Sequence, residues 1–276
     1  MSTTYATGIP VQRTPPTLTA NSLDLFSLKG KTALITGASA GIGLAVAEAF
    51  AEAGANIVLG YNSSAAAEQT AAALAERTGV TVVAVHCPVT DPAAIDRAFE
   101  VALAKFKVLD IVVANAGITW TGGAVLDPPD HAEWHKVVDV DLHGSYYTAK
   151  ATGLIFKRQG FGSLIFTSSI SAKIVNIPQM QTAYNISKAA VTHMTKCLAV
   201  EWAGFGRVNC ISPGYTITEI TKFADQSMRE QWLRLTPMGR EASPRELVGA
   251  YMYLASDAST YTTGTDLVID GGYTLV

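Results

Sequence analysis

The sequence predicts an α/β protein: a doubly wound, seven-stranded parallel sheet with helices on both faces, in a single domain. Three observations carry this. From Lys31 onward, short apolar runs rich in β-branched residues alternate with helical patterns, as strands do when both faces of a parallel sheet are covered. The first run leads directly into a glycine-rich turn, Thr36-Gly37-Ala38-Ser39-Ala40-Gly41-Ile42-Gly43, and then into a helix. With 276 residues, 49% of them apolar and 16% charged, the chain has material for one large core.

Residues 1–27 are expected to form a loose N-terminal arm ahead of one domain at 28–276. Positions 1–22 are rich in Thr, Pro, Ser and Ala and lack periodicity, whereas Leu23, Leu25, Phe26 and Leu28 are apolar enough to dock on the body. Strands are expected at Thr32–Thr36, Asn56–Leu59, Thr81–His86, Leu109–Ala114, Ser163–Thr167, Arg207–Ile211 and Asp266–Ile269. A helix at Leu44–Ala53 follows the first strand, and another at Ala65–Arg77 follows the second. Asp91-Pro92 offers an N-cap with proline at the first helical position. Ser243-Pro244-Arg245-Glu246 is a capping box. Gly54, Gly79 and Gly204 stand where helices should end. This alternation gives the doubly wound sheet.

A net charge of -3 argues against nucleic acid or an anionic membrane surface as the main partner. No apolar run approaches the roughly 20 residues that span a bilayer. The N-terminal stretch has no apolar core behind a basic start, and Arg13 is its one arginine before position 23. The C-terminal Thr-Leu-Val is not a peroxisomal address, so a cytoplasmic location is expected. Cys87, Cys197 and Cys210 lie in apolar surroundings and are expected to be reduced and buried. The histidines at 86, 131, 135, 143 and 193 show no ligand pattern, and no catalytic metal is expected.

Gly37, Gly41 and Gly43 allow a tight turn and a close approach of pyrophosphate to the amides that open a helix. Their spacing is one residue longer than the common dinucleotide fingerprint, and such a turn can also occur without a ligand. An acidic residue at the end of the second strand would select NAD by bonding its ribose 2′-hydroxyl. Here the segment reads Leu59-Gly60-Tyr61-Asn62-Ser63-Ser64, with no carboxylate before Glu68. Asn62, Ser63 and Ser64 supply neutral donors at a helix start, which favours NADP(H). The serines would also serve as caps for that helix.

Tyr184 and Lys188 stand four apart, on one face of a helix. An ammonium beside a phenol favours the phenolate, and such a pair can deliver a proton to an alkoxide formed by hydride transfer to a ketone. The run Thr167-Ser168-Ser169-Ile170-Ser171, at the end of a strand just upstream, offers a second donor for the carbonyl oxygen. A tyrosine and lysine at this spacing also occur in ordinary amphipathic helices, but the glycine loop and the hydroxyl cluster precede them here in order.

On these residues the chain resembles the short-chain dehydrogenase/reductase family over 28–276. The glycine motif is Thr36–Gly43, the second motif Asn115-Ala116-Gly117, the third Tyr184 to Lys188, and the fourth Pro213-Gly214. Gly117-Ile118-Thr119-Trp120, the run 174–179 and the run 255–264 are similar to the fungal NADP-dependent branch of sorbose reductases, mannitol 2-dehydrogenases and yeast carbonyl reductases.

The resemblance implies a Rossmann fold, a homotetramer, NADPH, and reduction of a ketose or similar small ketone to a secondary alcohol. It assigns Ser169, Tyr184, Lys188 and Asp141 to catalysis. Ser169 is preferred over Ser171, which is expected beside the substrate. Cofactor contacts are expected from Gly37, Ser39, Gly41, Ile42, Gly43, Tyr61, Asn62, Ser63, Ser64, Val89, Asn115, Ala116, Gly117, Tyr184, Lys188, Pro213, Gly214, Ile217 and Thr218. Trp120, Ile177, Gln179 and Tyr215 are expected at the substrate, with His143 as a further polar neighbour and Trp202 and Trp232 as packing residues.

Two positions depart from the family pattern. Asp141 replaces an asparagine in Val140-Asp141-Leu142-His143-Gly144, and Pro88 replaces an aspartate near the adenine. A ketoreductase of secondary metabolism and a non-catalytic NADP(H) sensor remain the alternative readings.

Overall fold

The computed structural model describes residues 14–276, so the first half of the expected arm lies outside the described residues. Its elements run β1 (Thr32–Ile35), α1 (Gly41–Glu52), β2 (Asn56–Tyr61), α2 (Ala67–Thr78), β3 (Val82–His86), α3 (Pro92–Phe106) and β4 (Ile111–Ala114). They continue through α4 (Ala132–Val138), α5 (Gly144–Gln159), β5 (Ser163–Thr167), α6 (Thr182–Glu201), β6 (Arg207–Pro213), α7 (Gln226–Arg234), α8 (Val248–Ala255) and β7 (Asp266–Ile269). The strands form one sheet in the order β3-β2-β1-β4-β5-β6-β7. Every pairing is parallel. The order reverses between β1 and β4, and a crevice opens at the carboxyl ends of strands at such a point.

Successive strand side chains point to opposite faces, so each strand feeds two cores. Leu34, Val112 and Phe166 pack with Phe99, Ile155, Phe156 and Trp202 on one face. Ile35, Ile57 and Val113 pack with Val46, Phe50, Leu74, Tyr251 and Leu254 on the other. Each large apolar side chain buried this way contributes about 1.5–3 kcal/mol.

The sequence signals act as expected at several ends. The Asp91 side chain accepts from the Ala93 amide (2.9 Å) with Pro92 opening α3. Ser243 and Glu246 form a capping box around a short 3₁₀ turn that leads into α8. Gly79 ends α2 in the left-handed region.

Other signals read differently. The helix α2 starts at Ala67 with Ala66 as N-cap and no side-chain cap, because the chain turns once more through Ser64, whose carbonyl receives the Ala67 amide. Ser63 and Ser64 are therefore not caps. The helix α6 ends with Trp202 as its C-cap, ahead of Gly204. Of the four apolar residues expected to dock, Leu28 is fully buried, while Leu23 and Phe26 are exposed. Cys87 and Cys210 are buried, but Cys197 is exposed, because it falls off the buried stripe Ala183, Ser187, Lys188, Val191, Thr195 and Ala199 of α6.

Between α4 and α5 the helix widens into a π turn, Asp139–His143. Such a turn adds a residue to the helical circuit. Here it accompanies the complete burial of Asp141.

Candidate active site

A cavity of about 400 Å³ lies at the carboxyl ends of the central strands. Ser39, Ala40, Gly41 and Ile42 line it where α1 begins. Ala40, the N-cap of α1, makes no side-chain cap bond, so the first amides of the helix need an outside acceptor. An anion such as a pyrophosphate suits them. Gly43 is required for packing: a Cβ there would collide with the Gly37 carbonyl oxygen.

Asn115 stitches the glycine loop to the sheet. Its Nδ2 donates to the carbonyls of Thr36 (3.0 Å) and Gly37 (3.2 Å), and its Oδ1 accepts from Thr167 (3.1 Å). Thr36 Oγ1 accepts the amides of Asn115 and Ala116.

At the other end of the cavity stand Ser169, Tyr184 and Lys188. Helix α6 places Lys188 Nζ 5.3 Å from the Tyr184 ring centroid. The ammonium is buried, lies 2.8 Å from Asp141 Oδ1, and donates to the Thr167 carbonyl (3.3 Å). Asp141 Oδ2 accepts the Ile118 amide (3.0 Å). The pair fits because residue 117 is glycine; a Cβ there would come within 2.7 Å of Asp141 Oδ1.

Burial works against the Lys188 charge, yet the Asp141 carboxylate beside it holds its pKa above the ordinary lysine value. Burial lifts the Tyr184 phenol above its usual value. Lys188 and a Ser169 hydrogen bond pull it down, while Asp141 pushes it further up. The lysine therefore does not prevail as the sequence predicted: burial, aided by Asp141, outweighs it and holds the phenol above its usual value.

Ser169 Oγ donates to Ser171 Oγ (3.1 Å) and accepts the Ser171 amide (3.1 Å). Gln181 Nε2 also donates to Ser171 Oγ (3.2 Å). Both serines line the cavity, and Ser169 is the one close enough to the Tyr184 phenol to influence it.

Gly37, Ser39, Gly41, Ile42, Asn62 and Ser63 line the cavity, together with Val89, Asn115, Ala116, Gly117, Pro213, Gly214 and Thr218. Pro88 lines it too. Four expected contacts fall outside the lining. Gly43 is taken up against Gly37 and Asn115. Tyr61 leans on His86 at 5.7 Å between ring centroids. Ser64 sits in the turn before α2, and Ile217 is exposed.

On the substrate side Gln179 and Tyr215 line the cavity, but Trp120 does not. It is buried with Val137 and Ala183, its indole N–H donating to the Gly123 carbonyl (2.8 Å). Ile177 is exposed, and His143 pairs with Asp139 (2.9 Å) away from the cavity. Trp202 packs against Phe156 and Phe205.

Trp232, expected to be packing only, lines the cavity and stacks on Tyr215 with centroids 4.0 Å apart and planes 9° from parallel. A signal was present: it is the lone aromatic in the largely polar run Gln226–Arg234. Asn176, within the run 174–179 but not expected at the site, is a second lining residue. Among the described residues no group of His, Cys, Asp and Glu is arranged to hold a metal, and no helix is long and apolar enough to cross a membrane.

A family model described as enoyl-(acyl carrier protein) reductase matches residues 37–274. The chain is 54% identical to a probable NADP-dependent mannitol dehydrogenase of Yarrowia lipolytica, over 98% of this chain and 97% of the relative. It is also 54% identical to a sorbose reductase of Candida albicans, over 96% of this chain and 94% of the relative. The crystal structure of an NADPH-dependent 3-quinuclidinone reductase from Rhodotorula rubra is similar at TM-score 0.92 and 45% identity, covering 97% of this chain and all of that one.

Proposed function

The chain belongs to the short-chain dehydrogenase/reductase family, and on that premise we propose that it is an NADPH-dependent reductase of a ketose or similar small ketone. The product is a secondary alcohol, and the reverse reaction oxidises a polyol. One observation carries the reading: a single cavity joins the uncapped start of α1 to the Tyr184 and Lys188 pair. Relatives named for mannitol, sorbose and L-xylulose chemistry support the substrate class.

The cavity fits the cofactor. Gly37, Ser39, Gly41 and Ile42 would hold the pyrophosphate, and Asn62 and Ser63 the 2′-phosphate. Val89 would pack on the adenine. Ala116, Gly117, Pro213, Gly214 and Thr218 would flank the nicotinamide half, with Lys188 on its ribose. When bound, NADPH supplies the hydride.

The chain's own residues do the rest. Ser169 would turn its hydroxyl proton from Ser171 to the carbonyl oxygen and hold that oxygen beside Tyr184. The Tyr184 phenol gives that oxygen its proton. Lys188 stabilises the phenolate so formed, and Asp141 keeps the ammonium charged and in place. The assembly is proposed to be a homotetramer, and its location the cytoplasm, to be checked by fractionation.

A bulkier ketone is a second reading, favoured by the likeness to the 3-quinuclidinone reductase. A non-catalytic NADP(H) sensor would not need the intact Tyr184, Lys188 and Ser169 set.

Replacing the proton donor tests the assignment. Tyr184→Phe should lower turnover by about 10²–10⁴-fold, the usual contribution of a general acid, while NADPH affinity measured by fluorescence titration stays within a few-fold. Full activity in the variant would overturn it.

A further inference from the structure

At the reacting end of the cavity three polar side chains are joined in line. Ser169, Ser171 and Gln181 all line the cavity and are all nearly buried. Ser169 opens the short 3₁₀ turn Ile170–Ala172, and its oxygen accepts the Ser171 amide (3.1 Å). Ser171 Oγ lies 3.1 Å from Ser169 Oγ and accepts from Gln181 Nε2 (3.2 Å). Gln181 is the N-cap residue of α6, yet its side chain makes no cap bond. Its amide is committed to Ser171 instead, which ties the serine turn to the helix that carries Tyr184 and Lys188.

A hydroxyl has one proton to give and two lone pairs with which to accept. In the structure Ser169 gives its proton to Ser171. When a ketone oxygen takes that proton, the same 3.1 Å contact can run the other way, with Ser171 donating and Ser169 accepting. An amide nitrogen only donates. Gln181 Nε2 therefore holds the Ser171 oxygen as an acceptor and leaves the Ser171 proton for Ser169.

We propose that Gln181 is a positioning residue for ketone reduction, acting through Ser171 to aim the Ser169 proton at the carbonyl oxygen. This rests on the reductase reading above and deepens it. The line then runs from Gln181 Nε2–H to Ser171 Oγ, from Ser171 O–H to Ser169 Oγ, and from Ser169 O–H to the substrate oxygen. Hydrogen bonds in such a chain polarise one another, so each donor strengthens the next as negative charge builds on that oxygen. No proton passes along the line: the three donors keep theirs, and the proton of the alcohol comes from Tyr184. Because the line ends on the oxygen that every ketone shares, its effect does not depend on the rest of the substrate. Neither Gln181 nor Ser171 needs to touch the substrate for this.

The test measures NADPH-dependent reduction of xylulose and of an activated keto ester that carries no hydroxyl. It uses the full chain and the variants Gln181→Met, Ser171→Ala and the two combined. Gln181→Met should lower kcat by about 3–10-fold on both substrates, the share of one hydrogen bond, with KM for each ketone held within about 2-fold. NADPH affinity by fluorescence titration should be unchanged, which shows that the variant is folded. In the Ser171→Ala background the same substitution should cost no more than about 2-fold further, because its route to Ser169 is gone. Losses that multiply in the combined variant would overturn the proposal. So would a loss confined to xylulose, since Gln181 would then bond a substrate hydroxyl itself. No loss on either ketone would overturn it as well. Should Gln181→Met not fold, Gln181→Ala removes the same donor and carries the same expectation. An unaltered enzyme inactive on both ketones would sink the reductase reading and the relay with it, an outcome distinct from an active enzyme insensitive to Gln181.

Discussion

At the residue scale the decisive feature is a carboxylate where the family has an amide. Asp141 and Lys188 form a buried ion pair, and removing one partner of such a pair is strongly destabilising, by about 3–5 kcal/mol. The pair also sets the pH behaviour. In the proposed mechanism reduction consumes the Tyr184 proton, so its rate should fall as pH rises through the phenol pKa. Asp141 opposes ionisation of that phenol. Asp141→Asn should therefore move the alkaline limb of kcat/KM for ketone reduction to lower pH, and should lower the melting temperature. An alkaline limb that stays put, or moves upward, would contradict the role given to Asp141.

Tyr184, Lys188 and Ser169 were legible because helical spacing and a hydroxyl-rich strand end carry their chemistry on the surface of the sequence. Trp232 and Asn176 were not. They come to the site through tertiary approach of the segments after β5 and β6, and neither the lone aromatic of Gln226–Arg234 nor the run 174–179 says by itself where its segment will fold.

At the scale of elements the sequence was read well where a local signal decides the outcome. Buried strands show as apolar runs, and Asp91-Pro92 or Gly79 mark helix ends through their own caps. Ends set by sheet pairing were missed: β2 continues to Tyr61 because it pairs with β3 through His86, and β6 continues to Pro213 opposite Ile269 of β7. The π turn at Asp139–His143, which carries the buried Asp141, was equally invisible.

Helix α5 carries a further consequence. Tyr146 and Leu154, two turns apart on one face, are 47% and 61% exposed. Exposed apolar side chains on one face suit contact with another subunit. If the proposed tetramer uses this face, Leu154→Arg should shift the sedimenting species from about four chains of 29.1 kDa to a smaller one, because a buried unpaired charge is costly. A tetramer unchanged by the substitution would remove α5 from the interface, and a monomeric unaltered protein would remove the tetramer.

At the scale of the molecule, function follows from where the sheet changes direction. The reversal between β1 and β4 opens one crevice. The glycine loop enters it from β1, the Asn115 segment from β4, the serines from β5, and the Tyr215 segment from β6. The alternation of strand and helix was enough to read this plan, whereas the polar wall that faces the substrate appears only once the chain is folded. The most direct measurement is the initial rate of NADPH oxidation with sorbose, fructose and xylulose, repeated with NADH. Ketose turnover that is faster with NADPH than with NADH is the predicted result. Absence of turnover on every ketose with both cofactors would contradict the account.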